Sequence, residues 1–165
     1  MPDGPWEKVA ATIPVIVSNP APHGFVTDWT EFKTDTGLQV SPTIGSFDAI
    51  RVYLWAGMLD SSTKGRDALL QSLSGVLNYL HANATPPAKV RPDGTIEDPK
   101  GPVGFSAALI PFAEALHEEQ IVDQQISRVR TELKPKMGLL GTPPKYHDQN
   151  LALFGLGFCA ATIQV

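Results

Sequence analysis

The chain has a single cysteine, Cys159, among its 165 residues. That excludes a disulfide framework and a cysteine-rich metal site, and a lone cysteine in an apolar run reads as a buried small hydrophobe. Charge is sparse as well: Asp, Glu, Lys and Arg make up 18% of the residues, below the roughly 25% of an ordinary soluble domain. The shortfall leaves surface that expects to be covered. The 13 basic residues form no stripe and are outnumbered by 17 acidic ones, for a net charge of −4, so nothing in the charge pattern points to nucleic acid as a partner. No apolar stretch approaches the roughly 20 residues that cross a bilayer. The start, Met1-Pro2-Asp3-Gly4-Pro5, lacks the basic and apolar segments of a signal peptide.

Familiar catalytic and cofactor motifs are missing too. His23, His81, His117 and His147 are dispersed, and His117-Glu118-Glu119 lacks the spacing of a helical zinc site. Gly101-Pro102-Val103-Gly104 has no Lys-Ser/Thr ending to cradle phosphate, and no Gly-x-Ser-x-Gly elbow occurs. No metal or cofactor is expected.

What is present is helical periodicity. Apolar residues, 42% of the chain, recur at helical spacing and predict helices near residues 5–18, 46–60, 65–83, 104–117, 118–133 and 147–163. Pro14 and Pro111 should kink or interrupt two of them. Residues 19–45 read as mostly irregular, with a short helical turn or edge strand around Trp29 to Phe32. Residues 85–101 and 134–145 read as loops, rich in Pro and Gly. No composition shift marks a linker, so residues 1–165 are read as a single all-α domain of alternating helices with little strand.

The stretch from Gly45 to Met58 places Asp48 and Arg51 three residues apart at the start of an otherwise apolar helix. A core helix tolerates an ionised carboxylate only where it is paired, hydrogen-bonded or facing a water-filled cleft. The plain alternative is local: Ser46 as N-cap, Asp48 in the first turn, and an ordinary i,i+3 ion pair worth a few tenths of a kcal/mol. Trp55, deep in the same apolar run, reads as core.

Four separated segments resemble glycoside hydrolase family 8, the endoglucanases that include the cellulases of bacterial cellulose-secretion systems. They are Pro22-His23-Gly24-Phe25-Val26-Thr27-Asp28-Trp29, the stretch Gly45 to Met58, Gly101 to Leu109, and Tyr146-His147-Asp148-Gln149-Asn150-Leu151-Ala152-Leu153-Phe154-Gly155. The resemblance implies an (α/α)6 toroid of six inner and six outer helices, of which this chain would supply the C-terminal half. It implies endo-1,4-β-glucanase chemistry with inversion, on a β-1,4-glucan polysaccharide favoured as cellulose-like over chitosan or xylan. It also implies export, so that the parent protein is expected to be periplasmic or secreted.

Glycoside hydrolysis needs two carboxyl groups across a cleft, an acid for the leaving oxygen and a base for water. By resemblance Asp48 is the catalytic base, and the general acid is a Glu of the N-terminal half; no Glu of this chain takes that part. Arg51 and the helix start beside Asp48 suit a carboxylate that works in its ionised form. Phe47 stands where the family usually has Tyr, which keeps the ring and loses the hydroxyl; a plain core Phe is the competing reading. A pyranose offers apolar faces and a polar rim, so Trp29 beside Asp28 and Tyr146 beside Asp148 are candidate substrate contacts, with Phe47 and Arg51. Asp148 reads equally as the N-cap of the last helix, and His147 replaces a second family Tyr. Two further readings stay open: a non-catalytic fragment, which would expose helix faces and associate with itself or with the N-terminal half, and a glucan-binding helical module.

Overall fold

A computed structural model describes residues 4–18, 21–40, 43–134 and 136–162. Among the described residues seven helices dominate: α1 (Trp6–Ser18), α2 (Ile50–Gly57), α3 (Arg66–Ser72), α4 (Gly75–Ala82), α5 (Val103–Ala115), α6 (Glu119–Glu132) and α7 (Tyr146–Thr162). Three antiparallel ribbons join them, β1 (Thr30–Lys33) with β2 (Gly37–Val40), β3 (Lys89–Val90) with β4 (Ile96–Asp98), and β5 (Leu133–Lys134) with β6 (Leu139–Leu140). The expectation of a mostly helical chain holds. So does the expected edge strand, which begins one residue after Trp29.

The centre is α5. Every residue from Val103 to Ala113 is buried, as suits a helix apolar on all sides. It packs against α2, α6 and α7. One core cluster gathers Leu54, Leu70, Leu73, Leu77, Leu80, Phe105, Leu109 and Phe112; a second, on the α6–α7 side, gathers Val103, Ala107, Ile110, Val129, Leu140, Ala152 and Cys159. Cys159 is thus the buried small hydrophobe expected.

Of the kink or interruption expected at Pro111, the interruption does not occur: α5 runs on through it. Proline removes the N–H that Ala107 C=O would have received one turn earlier, and that carbonyl is the one approached by Gly155 of α7. A Cβ on Gly155 would lie 2.2 Å from it. The neighbouring helix thereby closes over the group that proline leaves open. Helix α1 likewise runs through Pro14, on a helix with no buried residue at all.

The helix expected over 65–83 is instead two, parted at Leu73–Ser74. Here backbone meets backbone: a Cβ on Gly75 would sit 2.1 Å from His23 O, and one on Gly24, at φ 74°, 2.3 Å from Gly75 N. The break lets the segment ahead of Asp28 dock against the start of α4.

The helix expected from residue 46 begins only at Ile50, and Ser46 is not its cap. Ser46 Oγ donates instead to Ala88 O at 2.6 Å, while Gly45 pairs with Val90 by N–H···O bonds of 2.8 and 3.0 Å. Residues 46–49 form a turn, and the long loop over 85–101, which carries β3 and β4, is its buttress. Trp55, expected in the core, is 46% exposed and sets its ring edge-on to Phe154 at 5.3 Å. On α2 the buried positions are Ile50, Tyr53, Leu54, Ala56 and Gly57, and Arg51 and Trp55 share the open face one turn apart.

Candidate active site

The turn carrying Asp48 is organised by a carboxylate twenty residues earlier. Asp28 Oδ1 accepts the backbone N–H of Ser46 at 2.7 Å, of Asp48 at 3.1 Å and of Ala49 at 2.8 Å. This is capping supplied from outside the helix: an anionic oxygen satisfies amides that would otherwise lack partners at the helix start. Asp28, expected to contact the sugar, has its Oδ1 committed to the backbone. Its neighbour Trp29 is 67% exposed, as a stacking surface needs to be, and Thr27 Oγ1 donates to Trp29 O at 3.0 Å.

The segment before Asp28 is held by α2. Tyr53 hydroxyl accepts the N–H of Val26 at 2.9 Å and donates to Gly24 O at 3.3 Å. Burial pushes the phenol well above its ordinary pKa, with the Val26 N–H opposing in part. Tyr53 was not among the candidate residues, yet it ties the first motif to the second.

Asp48 turns outward and pairs with Arg51, both side chains partly open to solvent. Phe47, also exposed, stands edge-on to Phe105 and to His147, each at 5.3 Å. His147 Nε2 lies 3.2 Å from Phe47 O. Asp148 is 4% exposed and accepts the N–H of Gly104 at 3.2 Å. Burial between α5 and α7 leaves it facing the first turn of α5, and α7 begins at Tyr146, two residues before it. Gly104 permits that approach, since a Cβ there would fall 2.6 Å from Asp148 Oδ1. Tyr146, one residue before His147, is 85% exposed.

The first turn of α5 is fixed from its other side by a buried polar network. Ser106 Oγ donates to Gln125 Oε1 at 2.6 Å, and Arg128 donates to Ser106 Oγ and to Gly101 O, each at 2.7 Å. Burial lowers the guanidinium's pKa from its ordinary value, opposed by Glu132 and Asp148.

The structure therefore brings all four motifs to one end of the helices. Asp28, Asp48 and its turn, the start of α5 and the start of α7 are linked by hydrogen bonds and ring contacts. Trp29 and Tyr146, next in sequence to Asp28 and His147, are exposed, and Arg51 lies on the open face of α2. Sequence reasoning missed Tyr53 and the supporting part of His147. Tyr53 was legible only as one more apolar helix position, and His147 only as a departure from a family tyrosine. Among the described residues no group of three or more His, Cys, Asp or Glu side chains is placed to hold a metal ion, and no helix is long and apolar enough to cross a membrane.

The site thus presents a solvent-facing carboxylate–guanidinium pair, braced by a second carboxylate on a helical scaffold. The family model of the glycosyl hydrolases family 8 matches residues 3–158, and the chain belongs to that family. It is 41% identical over 159 residues to an endoglucanase of Xanthomonas axonopodis pv. citri, covering 95% of this chain and 40% of that protein. An endoglucanase of Escherichia coli K12 is 35% identical over 127 residues, 72% of this chain and 34% of its own length. The crystal structure of an endo-1,4-D-glucanase from Vibrio fischeri superposes with a TM-score of 0.75 at 30% identity, over 89% of this chain and 42% of that one. The chain spans less than half the length of these relatives.

Proposed function

We propose that this chain is the base-carrying, C-terminal half of an inverting endo-1,4-β-glucanase acting on cellulose-like β-glucan, in the periplasm or outside the cell. The observation that carries the reading is the convergence of the four motifs around a solvent-facing Asp48. As general base, Asp48 would take a proton from a water that attacks the anomeric carbon from the face opposite the leaving group. Arg51 holds its carboxylate, and Phe47, Trp29 and Tyr146 offer flat apolar surface to the sugar faces. Asp28 and Asp148 act behind them, holding backbone.

The general acid belongs to the N-terminal half, which completes the helical toroid and the far wall of the cleft at the roughly 6.5–9.5 Å carboxyl separation that leaves room for water. Two observations support that partner. The chain covers 40% of its Xanthomonas relative. Helix α1 leaves Trp6, Val9, Ile13, Val15 and Ile16 about half exposed, more apolar surface than one helix ordinarily shows to water.

The experiment is hydrolysis of a soluble β-1,4-glucan by this chain assembled with the family's N-terminal half, with the fresh product read by proton NMR. Release of the α-anomer first supports inversion through a water-activating base. The β-anomer first would overturn it.

The same α1 surface favours one alternative, that the chain by itself is a non-catalytic piece that associates through α1. Without a general acid the leaving oxygen gets no proton, a loss of roughly 10² to 10⁴ in rate. Glucan binding without hydrolysis by the isolated chain would be its signature.

A further inference from the structure

We propose that His147 is a positioning residue for the base: its imidazole holds the peptide unit that carries Asp48. The inference rests on the assignment of Asp48 above. His147 Nε2 lies 3.2 Å from the carbonyl oxygen of Phe47. A carbonyl only accepts, so Nε2 bears the proton. The other ring nitrogen, Nδ1, is buried and has no hydrogen-bond partner among the described residues. His147 therefore acts as a donor through Nε2.

The Phe47 carbonyl and the Asp48 N–H are two ends of one peptide group. Asp28 Oδ1 takes the N–H at 3.1 Å, and His147 takes the carbonyl at 3.2 Å. A planar unit gripped at both ends cannot swing about its flanking bonds without breaking both hydrogen bonds. Its orientation sets where the Asp48 side chain leaves the backbone. The ring adds a steric brace, standing edge-on to Phe47 at 5.3 Å and to Phe105 at 6.3 Å. Phe47 and His147 are thus in contact through both ring and backbone.

The test separates ring from donor. His147→Phe keeps an aromatic ring and removes the donor, whereas His147→Gln removes the ring and keeps an N–H at the same reach. Long-range proton–nitrogen NMR of the chain should show a His147 proton on Nε2. Amide exchange at Asp48 and Ala49 should quicken about tenfold in His147→Phe, the factor one lost hydrogen bond represents, and return close to wild type in His147→Gln. In turnover, His147→Phe should lower kcat about tenfold with KM little changed, as expected when the base is misplaced and binding is not. An Nδ1–H tautomer, or equal amide protection in the wild type and His147→Phe, would overturn the proposal. Hydrolysis that survives Asp48→Asn would remove the base assignment instead while leaving these spectra unchanged, so the two failures are distinguishable.

Discussion

The carboxylate of Asp28 receives the backbone N–H of Asp48 at 3.1 Å, across a separation of twenty residues. With Ser46 and Ala49 on the same oxygen, one anion orients a whole turn. The turn can thus begin without an N-cap of its own, and Ser46 is left to bind Ala88 on the supporting loop.

Replacing Asp28 separates charge from shape. Asp28→Ala leaves three amides without an acceptor and should cost about 2 to 4 kcal/mol, while Asp28→Asn keeps a neutral acceptor and should cost about 1 kcal/mol. Urea denaturation checks both. A midpoint unchanged in Asp28→Ala would mean the turn stands without the carboxylate.

Tyr53→Phe removes one hydroxyl and strands two buried groups, the Val26 N–H and the Gly24 carbonyl. Loss of about 1 to 3 kcal/mol is expected. Because the hydroxyl fixes the segment leading to Asp28, faster amide exchange should appear at Val26 and spread toward Asp28, and no change at Val26 would refute this linkage.

Gly155→Ala tests how α7 seats on α5. The added methyl would fall 2.2 Å from the Ala107 carbonyl, a backbone atom that cannot step aside, so overpacking of about 1 to 3 kcal/mol or more should result. Gly157, on the same helix with open space around it, is the control: Gly157→Ala should match wild type or gain slightly from helix propensity. Equal melting temperatures for the two variants would contradict the tight packing.

Burial, with the Glu114 carboxylate accepting from its Sγ at 3.2 Å, pushes the Cys159 thiol up to about 12 from its ordinary 9.0. A folded pKa above the unfolded one means the native state holds its proton longer. That contribution is complete below pH ~9 and is lost as pH rises toward 12. The melting temperature should therefore fall between pH 8 and 10.5, and fall less in Cys159→Ala. An aromatic disulfide reagent at pH 8 should label Cys159 only after denaturation, and rapid labelling of the native chain would contradict its burial.

Much of this fold was legible because it rests on periodicity. The apolar spacing marks α5, α6 and α7 to within a residue or two, and the Asp48–Arg51 spacing marks the charged pair. What was not legible depends on contacts between distant segments. The split between α3 and α4 answers to Gly24 pressing on Gly75, and the late start of α2 answers to Asp28. Neither partner is visible in a local window. Pro111 looked like a breaker because its cost was counted within one helix, whereas Gly155 meets the freed carbonyl from another. At the site, the Asp48–Arg51 pair was readable from local spacing, and the parts proposed for Asp48, Arg51 and Phe47 come from resemblance. The supporting parts of Asp28, Tyr53, His147 and Asp148 were not, since a polar residue on a motif looks the same whether it faces substrate or backbone.

The central claim is that Asp48 is the base. The most direct measurement is reducing-sugar release from carboxymethylcellulose by this chain assembled with the family's N-terminal half, comparing wild type with Asp48→Asn. The substitution is nearly isosteric and removes proton acceptance, so the rate should fall by roughly 10² to 10⁴ while glucan binding and the melting curve stay in place. A folded Asp48→Asn protein that hydrolyses glucan at the wild-type rate would contradict the account.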